Sequence, residues 1–115
     1  MSRPTQEDWE RIRRRISNLD ATRQALIEER NSFTVFLWQI RHTRLRSYAL
    51  EDIIMNMRAE KENRIAEVRK QIRQARMIED IYRMIEEACR TIDELSAILN
   101  SFDITTTEEN KTSMS

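Results

Sequence analysis

Not one of the 115 residues is glycine, and Pro4 is the only proline. Glycine takes positive φ without a steric penalty, and tight turns and αL helix caps draw on that freedom. A chain without it is steered away from β-rich folds and towards long helices joined by few turns. The same absence removes the P-loop and the dinucleotide fingerprint, whose glycines let the backbone approach a phosphate. Hydrophobic residues make up 39% and charged residues 35%, a mix that suits helices with one narrow apolar stripe better than a thick core.

The first helix announces its start. Thr5 followed by Asp8 reads as a capping box, with Glu7 and Asp8 in the first turn where the helix dipole favours acids. Pro4 blocks extension backwards. From there an apolar seam runs through Trp9, Ile12, Ile16, Leu19, Leu26, Phe33, Leu37 and Ile40, at the steps of three and four that mark a coiled coil. Arg23, Arg30 and Arg44 fall on the same seam, and each must find a partner or extend its charge to water. A turn is expected near residues 43–50, where Thr43 and Ser47 stand without glycine or proline, although a helix through it is sterically open.

A second helical stretch is expected from about Leu50 to Arg76, with Ile54, Met57, Ile65, Val68, Ile72 and Ala75 on one face. A third carries the cleanest seam: Ile78, Ile81, Ile85, Ala88, Ile92, Leu95 and Leu99. Ala75 to Ile78 to Ile81 are two successive steps of three. That offset marks either a stammer in one long helix or a tight turn near residues 74–78. The fold expected is therefore all-α: two or three long amphipathic helices in an antiparallel bundle or coiled coil. Residues 1–4 form an N-terminal extension, residues 5–101 the helical part, and residues 102–115 a disordered tail too polar to bury surface.

Charge divides the chain. Residues 1–50 hold ten Arg and Lys against six acids, and residues 51–115 hold ten against fourteen, so a net charge of zero hides halves of opposite sign. They attract each other within one chain or across a dimer. His42 and Cys89 are single residues of their kinds, which leaves no metal-ligand spacing and no intrachain disulfide; no metal or cofactor is expected. No run of about 18 apolar residues occurs, and the expected location is intracellular, cytoplasmic or nuclear.

The leading expectation for function is a non-catalytic helical interaction module, a self-associating assembly subunit or adaptor. Its binding groups would be the seam residues Trp9, Ile12, Ile16, Leu19, Leu26, Phe33, Leu37 and Ile40 together with Trp38. Trp38, Phe36 and Val35 lie off or beside the seam, so their exposure would mark a second adhesive face. A nucleic-acid partner is a further reading, through the basic cluster Arg11, Arg13, Arg14 and Arg15 and a second one at Arg41, Arg44 and Arg46.

One resemblance adds another reading. The run Ile12-Arg13-Arg14-Arg15-Ile16-Ser17-Asn18-Leu19-Asp20, followed by Leu26-Ile27-Glu28-Glu29-Arg30-Asn31-Ser32, resembles the first helix of the small all-helical chorismate mutases. Tyr82-Arg83-Met84-Ile85 through Glu87, Cys89 and Arg90 is similar to that family's last helix. The resemblance implies that Arg13 and Arg30 bind substrate carboxylates, that Arg41 takes the place of a lysine, and that Asp93 falls near the family's Gln or Glu. Arginines aimed at developing charge in a dry helical pocket would then accelerate rearrangement of a dianion without covalent chemistry. The family's inter-helix link, with Gly, Pro and an Asp-x-x-Arg-Glu pattern, has only Lys61-Glu62 as its nearest counterpart here.

Overall fold

A computed structural model describes residues 2–44 and 46–102. It contains two helices, α1 (Gln6–Arg41) and α2 (Tyr48–Met114), and no strand among the described residues. At 1.5 Å per residue, helices of 36 and 67 residues run about 54 and 100 Å, and the molecule extends 107 × 18 × 18 Å. Its radius of gyration is 28.9 Å, where a compact chain of this length has about 13 Å.

The capping box forms as read. Thr5 Oγ1 accepts from the Asp8 backbone N–H at 3.0 Å, and Asp8 Oδ2 accepts from the Thr5 N–H at 2.8 Å. These bonds satisfy two of the donors that a helix start leaves open. They also hold the Asp8 carboxyl below its ordinary pKa, the Thr5 backbone N–H acting most strongly and its hydroxyl next.

The turn falls at residues 42–47 and uses no positive φ among the described residues. His42, at φ −102° and ψ 8°, ends α1 with its N–H donating to the carbonyls of Trp38 and Gln39, each at 3.2 Å. Thr43 turns back, its hydroxyl donating to the Ile40 carbonyl at 2.8 Å. Ser47 starts α2: its Oγ accepts from the Leu50 N–H at 3.3 Å. Glu51 lies buried inside this turn. It takes Arg46 Nε at 2.8 Å and Arg46 Nη2 at 3.3 Å, with Arg41 Nε 3.7 Å away. A buried carboxylate held by two arginines from opposite sides of the turn fixes the chain reversal where glycine is missing.

The helices run antiparallel. From the open end to the turn, Arg3 pairs with Asp93, Trp9 bonds Glu86, Glu29 pairs with Lys61 and Arg41 faces Glu51. The residue numbers of each pair add to nearly the same value, the mark of two helices lying side by side in opposite directions. The core between them is thin: Ile12, Leu26, Leu37 and Ile40 from α1, and Ile54, Ile65, Ile72, Ala75 and Cys89 from α2. Each large aliphatic side chain fully withdrawn from water contributes roughly 1.5–3 kcal/mol before entropy.

One open alternative is decided, in favour of a single long helix, and one expectation needs correction. No turn interrupts residues 74–78; α2 passes through them unbroken, because Gln74, Ala75, Arg76 and Met77 are all good helix formers. The helix also does not stop at Asn100 or Ser101. Phe102 is still helical, and nothing at Asn100 or Ser101 breaks a helix as glycine or proline would. The rest of the expected tail, residues 103–115, lies outside the described residues.

Candidate functional site

The seam read from sequence in α1 is the stripe that α1 turns towards α2. Ile12, Leu26, Leu37 and Ile40 are buried; Trp9, Ile16, Leu19 and Phe33 are half-buried. Arg23 and Arg30, on the same stripe, are half-buried as well. Arg23 Nη2 lies 2.6 Å from Asp20 Oδ1, an ion pair outside hydrogen-bond geometry, and Arg30 donates to Asn31 Oδ1 at 3.4 Å. Arg44 falls past the end of α1. Trp38 is different: it is 62% exposed, with Val35 and Phe36 beside it at 55% and 48%. The second adhesive face anticipated on these three residues is open to solvent, and Trp38 stacks on His42 with ring centroids 4.3 Å apart.

In α2 the residues withdrawn from water include Glu51, Ile54, Arg58, Lys61, Ile65, Val68, Ile72, Ala75, Glu79, Tyr82, Glu86 and Cys89. They follow unbroken steps of three and four. The apolar seam of the third stretch stands one residue earlier at every step. One residue is a rotation of about 100° around a helix, so this seam turns away from α1. Opposite α1, Ile81 is 49% exposed and Ile78, Ile85 and Ala88 are half-buried; Ile92, Leu95 and Leu99, at 52–61%, lie at or beyond the open end of α1. Met77, Met84 and Ile98 widen the same strip, and all three are exposed. Beyond Asp93 nothing of α1 lies opposite, and residues 91–102 are exposed throughout.

The exposed large hydrophobic side chains thus fall in two zones. One is the closed end of the hairpin, residues 35–57; the other is distal α2, residues 77–102. None lies in residues 58–76. Sequence reasoning found the residues of the distal seam but did not say what covers them. The signal available was the double step of three at Ala75, Ile78 and Ile81, which says that one straight helix carries two differently aimed stripes.

The other proposed groups are distributed as follows. Arg13 lies over the Trp9 ring at 5.2 Å, and Trp9 donates from Nε1 to Glu86 at 2.7 Å and meets Tyr82 edge-on at 5.5 Å. Gln6, Trp9, Arg13, Glu79, Arg83 and Glu86 line an open groove of about 440 Å³. Its arginines stand among carboxylates, with Arg83 held by Glu79 at 2.8 Å and by Asp80 at 3.3 Å. Arg30 is about 26 Å from Arg13 along α1, and Arg41 a further 17 Å or so. Asp93 pairs with Arg3 at the open end. Within one chain, then, Arg13, Arg30 and Arg41 do not share a pocket. In the basic cluster Arg11 pairs with Glu7 at 3.4 Å, while Arg14 and Arg15 are exposed. No helix among the described residues is long and apolar enough to cross a membrane, and no cluster of potential metal ligands occurs among them.

Comparison of the chain with protein-family models, with curated proteins and with solved structures gave no match.

Proposed function

We propose that this chain is a non-catalytic helical interaction module that associates with itself, two hairpins combining into a coiled-coil bundle. The observation that carries the reading is the distal seam of α2. Residues spaced by threes and fours, with Ile78, Ile85 and Ile92 at one set of positions and Ile81 and Leu95 at the other, have the pattern that helices bury against helices. Here Ile81, Ile92 and Leu95 face water, while Ile78 and Ile85 are half-buried. Area argues the same way. The chain exposes 9255 Å², whereas a compact monomer of 13.9 kDa exposes about 6,700 Å². The excess is of the size that obligate dimers bury.

Sedimentation at several concentrations tests the reading. A dimer or larger assembly is expected, and Ile81→Asp with Ile92→Asp should shift it to monomer while leaving helicity largely intact. A wild-type chain that stays monomeric with its helices formed at high micromolar concentration would remove the proposal. The same samples, assayed for loss of chorismate and for retention on nucleic acid at low salt, test the other two readings. A mutase built from this chain needs a second copy to complete any pocket around Arg13 or Arg30.

A further inference from the structure

We infer that the partner on these faces is a second copy lying antiparallel, so that the closed end of each hairpin covers residues 77–92 of the other's α2. The inference rests on the self-association proposed above and adds the orientation. Three observations carry it.

The first is the segregation of exposed apolar residues into two zones with a polar stretch between them. The seam of distal α2, followed backwards by the same steps of three and four, passes through Gln74, Gln71, Glu67, Arg64 and Glu60. It becomes apolar again at Met57, Ile53 and Leu50. One face of one helix is therefore apolar at both ends and polar in the middle.

The second is what each orientation sets side by side. With two copies parallel and in register, Glu60 meets Glu60, Arg64 meets Arg64 and Glu67 meets Glu67. Like charges along a seam are destabilising. With the copies antiparallel, the register that sets Met57 opposite Ile81, Ile53 opposite Ile85 and Leu50 opposite Ala88 also sets Arg64 opposite Gln74 and Glu67 opposite Gln71. Apart from Glu60, which falls opposite Ile78 at the edge of the polar middle, apolar residues then meet apolar ones at both ends, and the middle contains no like-charge pair. A twofold axis near residue 69 relates the copies, as a closed isologous dimer requires.

The third is charge. The closed end, residues 35–57, carries Arg41, Arg44 and Arg46 against Glu51 and Asp52. The open end, residues 3–16 with 78–99, carries seven arginines against nine acids. The antiparallel arrangement places the positive end of one copy on the negative end of the other, and the parallel one places like on like.

A spin label at Asp52→Cys, in a Cys89→Ala background, reads the orientation. Residue 52 is exposed and stands on the side of α2 away from the seam. In the antiparallel dimer each label lies level with residue 86 of the other copy's α2, so the two are about 50 Å apart. Parallel copies bring them within about 25 Å, and copies that overlap only through residues 78–95 hold them beyond about 80 Å; either result overturns the orientation and leaves self-association standing. A sample that sediments as a monomer and shows no dipolar coupling overturns both.

Discussion

Residues 58–76 and 77–102 belong to one helix, but their apolar residues have different fates. In the first segment Ile65, Val68, Ile72 and Ala75 coincide with the positions that face α1, and the positions one step earlier are Glu60, Arg64, Glu67, Gln71 and Gln74. In the second the assignment is reversed. Glu79, Tyr82, Glu86 and Cys89 face α1, while Ile81, Ile92, Leu95 and Leu99 stand in water. Hydrophobicity alone does not decide which stripe is buried. The partner helix does, by its length and by the line it already follows. A local rotation of about 100° to bring the distal seam under α1 would break the continuous α2 ladder. Trp9 removes part of the need for it, because its ring packs on Tyr82 and its N–H satisfies Glu86, the use of an apolar body with a polar tip.

The sharpest way to break this comparison is to truncate one aliphatic side chain from each segment. Ile65 is 2% exposed and Leu99 is 61% exposed. Ile65→Ala should lower unfolding stability by about 2–4 kcal/mol, the usual cost of a deleted core side chain. Leu99→Ala should stay within about 0.5 kcal/mol when measured in a dilute, monomeric sample. Urea unfolding at low concentration reads both. Equal losses would mean that the distal seam is covered within the single chain and that the two segments do not differ.

Much of this was legible in the residues. The capping box, the stripe of α1 and the chain reversal among residues 43–50 each follow from local chemistry that the structure repeats: Thr5 with Asp8, apolar residues at threes and fours, Ser47 as a helix start. Even Arg23 and Arg30 fall on the stripe predicted for them. What the sequence left open was the choice between the two stripes of α2. Periodicity defines a face but does not name what covers it, and two stripes one residue apart are equally regular. The expected helix end was placed by falling hydrophobicity, whereas a helix stops where a residue breaks it, and Asn100 and Ser101 do not.

A second test addresses the turn, which sets the register that both segments inherit. Glu51 is 4% exposed and holds Arg46 and Arg41. Glu51→Gln keeps the shape and removes the charge, and it should cost about 1–3 kcal/mol, the range for hydrogen bonds to charged groups. In an Arg46→Ala background the same substitution should cost much less, since the principal partner is already gone. Urea midpoints of the four proteins of that cycle give the coupling directly. If the coupling is absent, the turn is held by Ser47 and Thr43 alone, and the register of α1 on α2 has to come from the seam itself.

The smallest expected effect is electrostatic and belongs to the matched segment. Glu29 accepts from Lys61 across the helix pair at 2.7 Å, and this hydrogen bond, followed by the lysine's charge, holds its carboxyl below the ordinary 4.5. The unfolded chain therefore takes up the proton at higher pH than the folded one. The stabilisation is complete above the ordinary carboxylate range and is lost as pH falls through the depressed value. Asp8, lowered by the cap, acts in the same direction. Both groups are solvent-screened, so the effect is a shallow slope rather than a transition. Acid unfolding of a dilute sample should lose part of that slope in Glu29→Gln and a further part in Asp8→Asn. Lys61→Met should reproduce the Glu29→Gln profile, because it removes the same interaction from the other side. An unchanged slope in all three variants would show that the helix contact over residues 58–76 rests on its aliphatic side chains alone, and that the two segments of α2 differ in packing and not in charge.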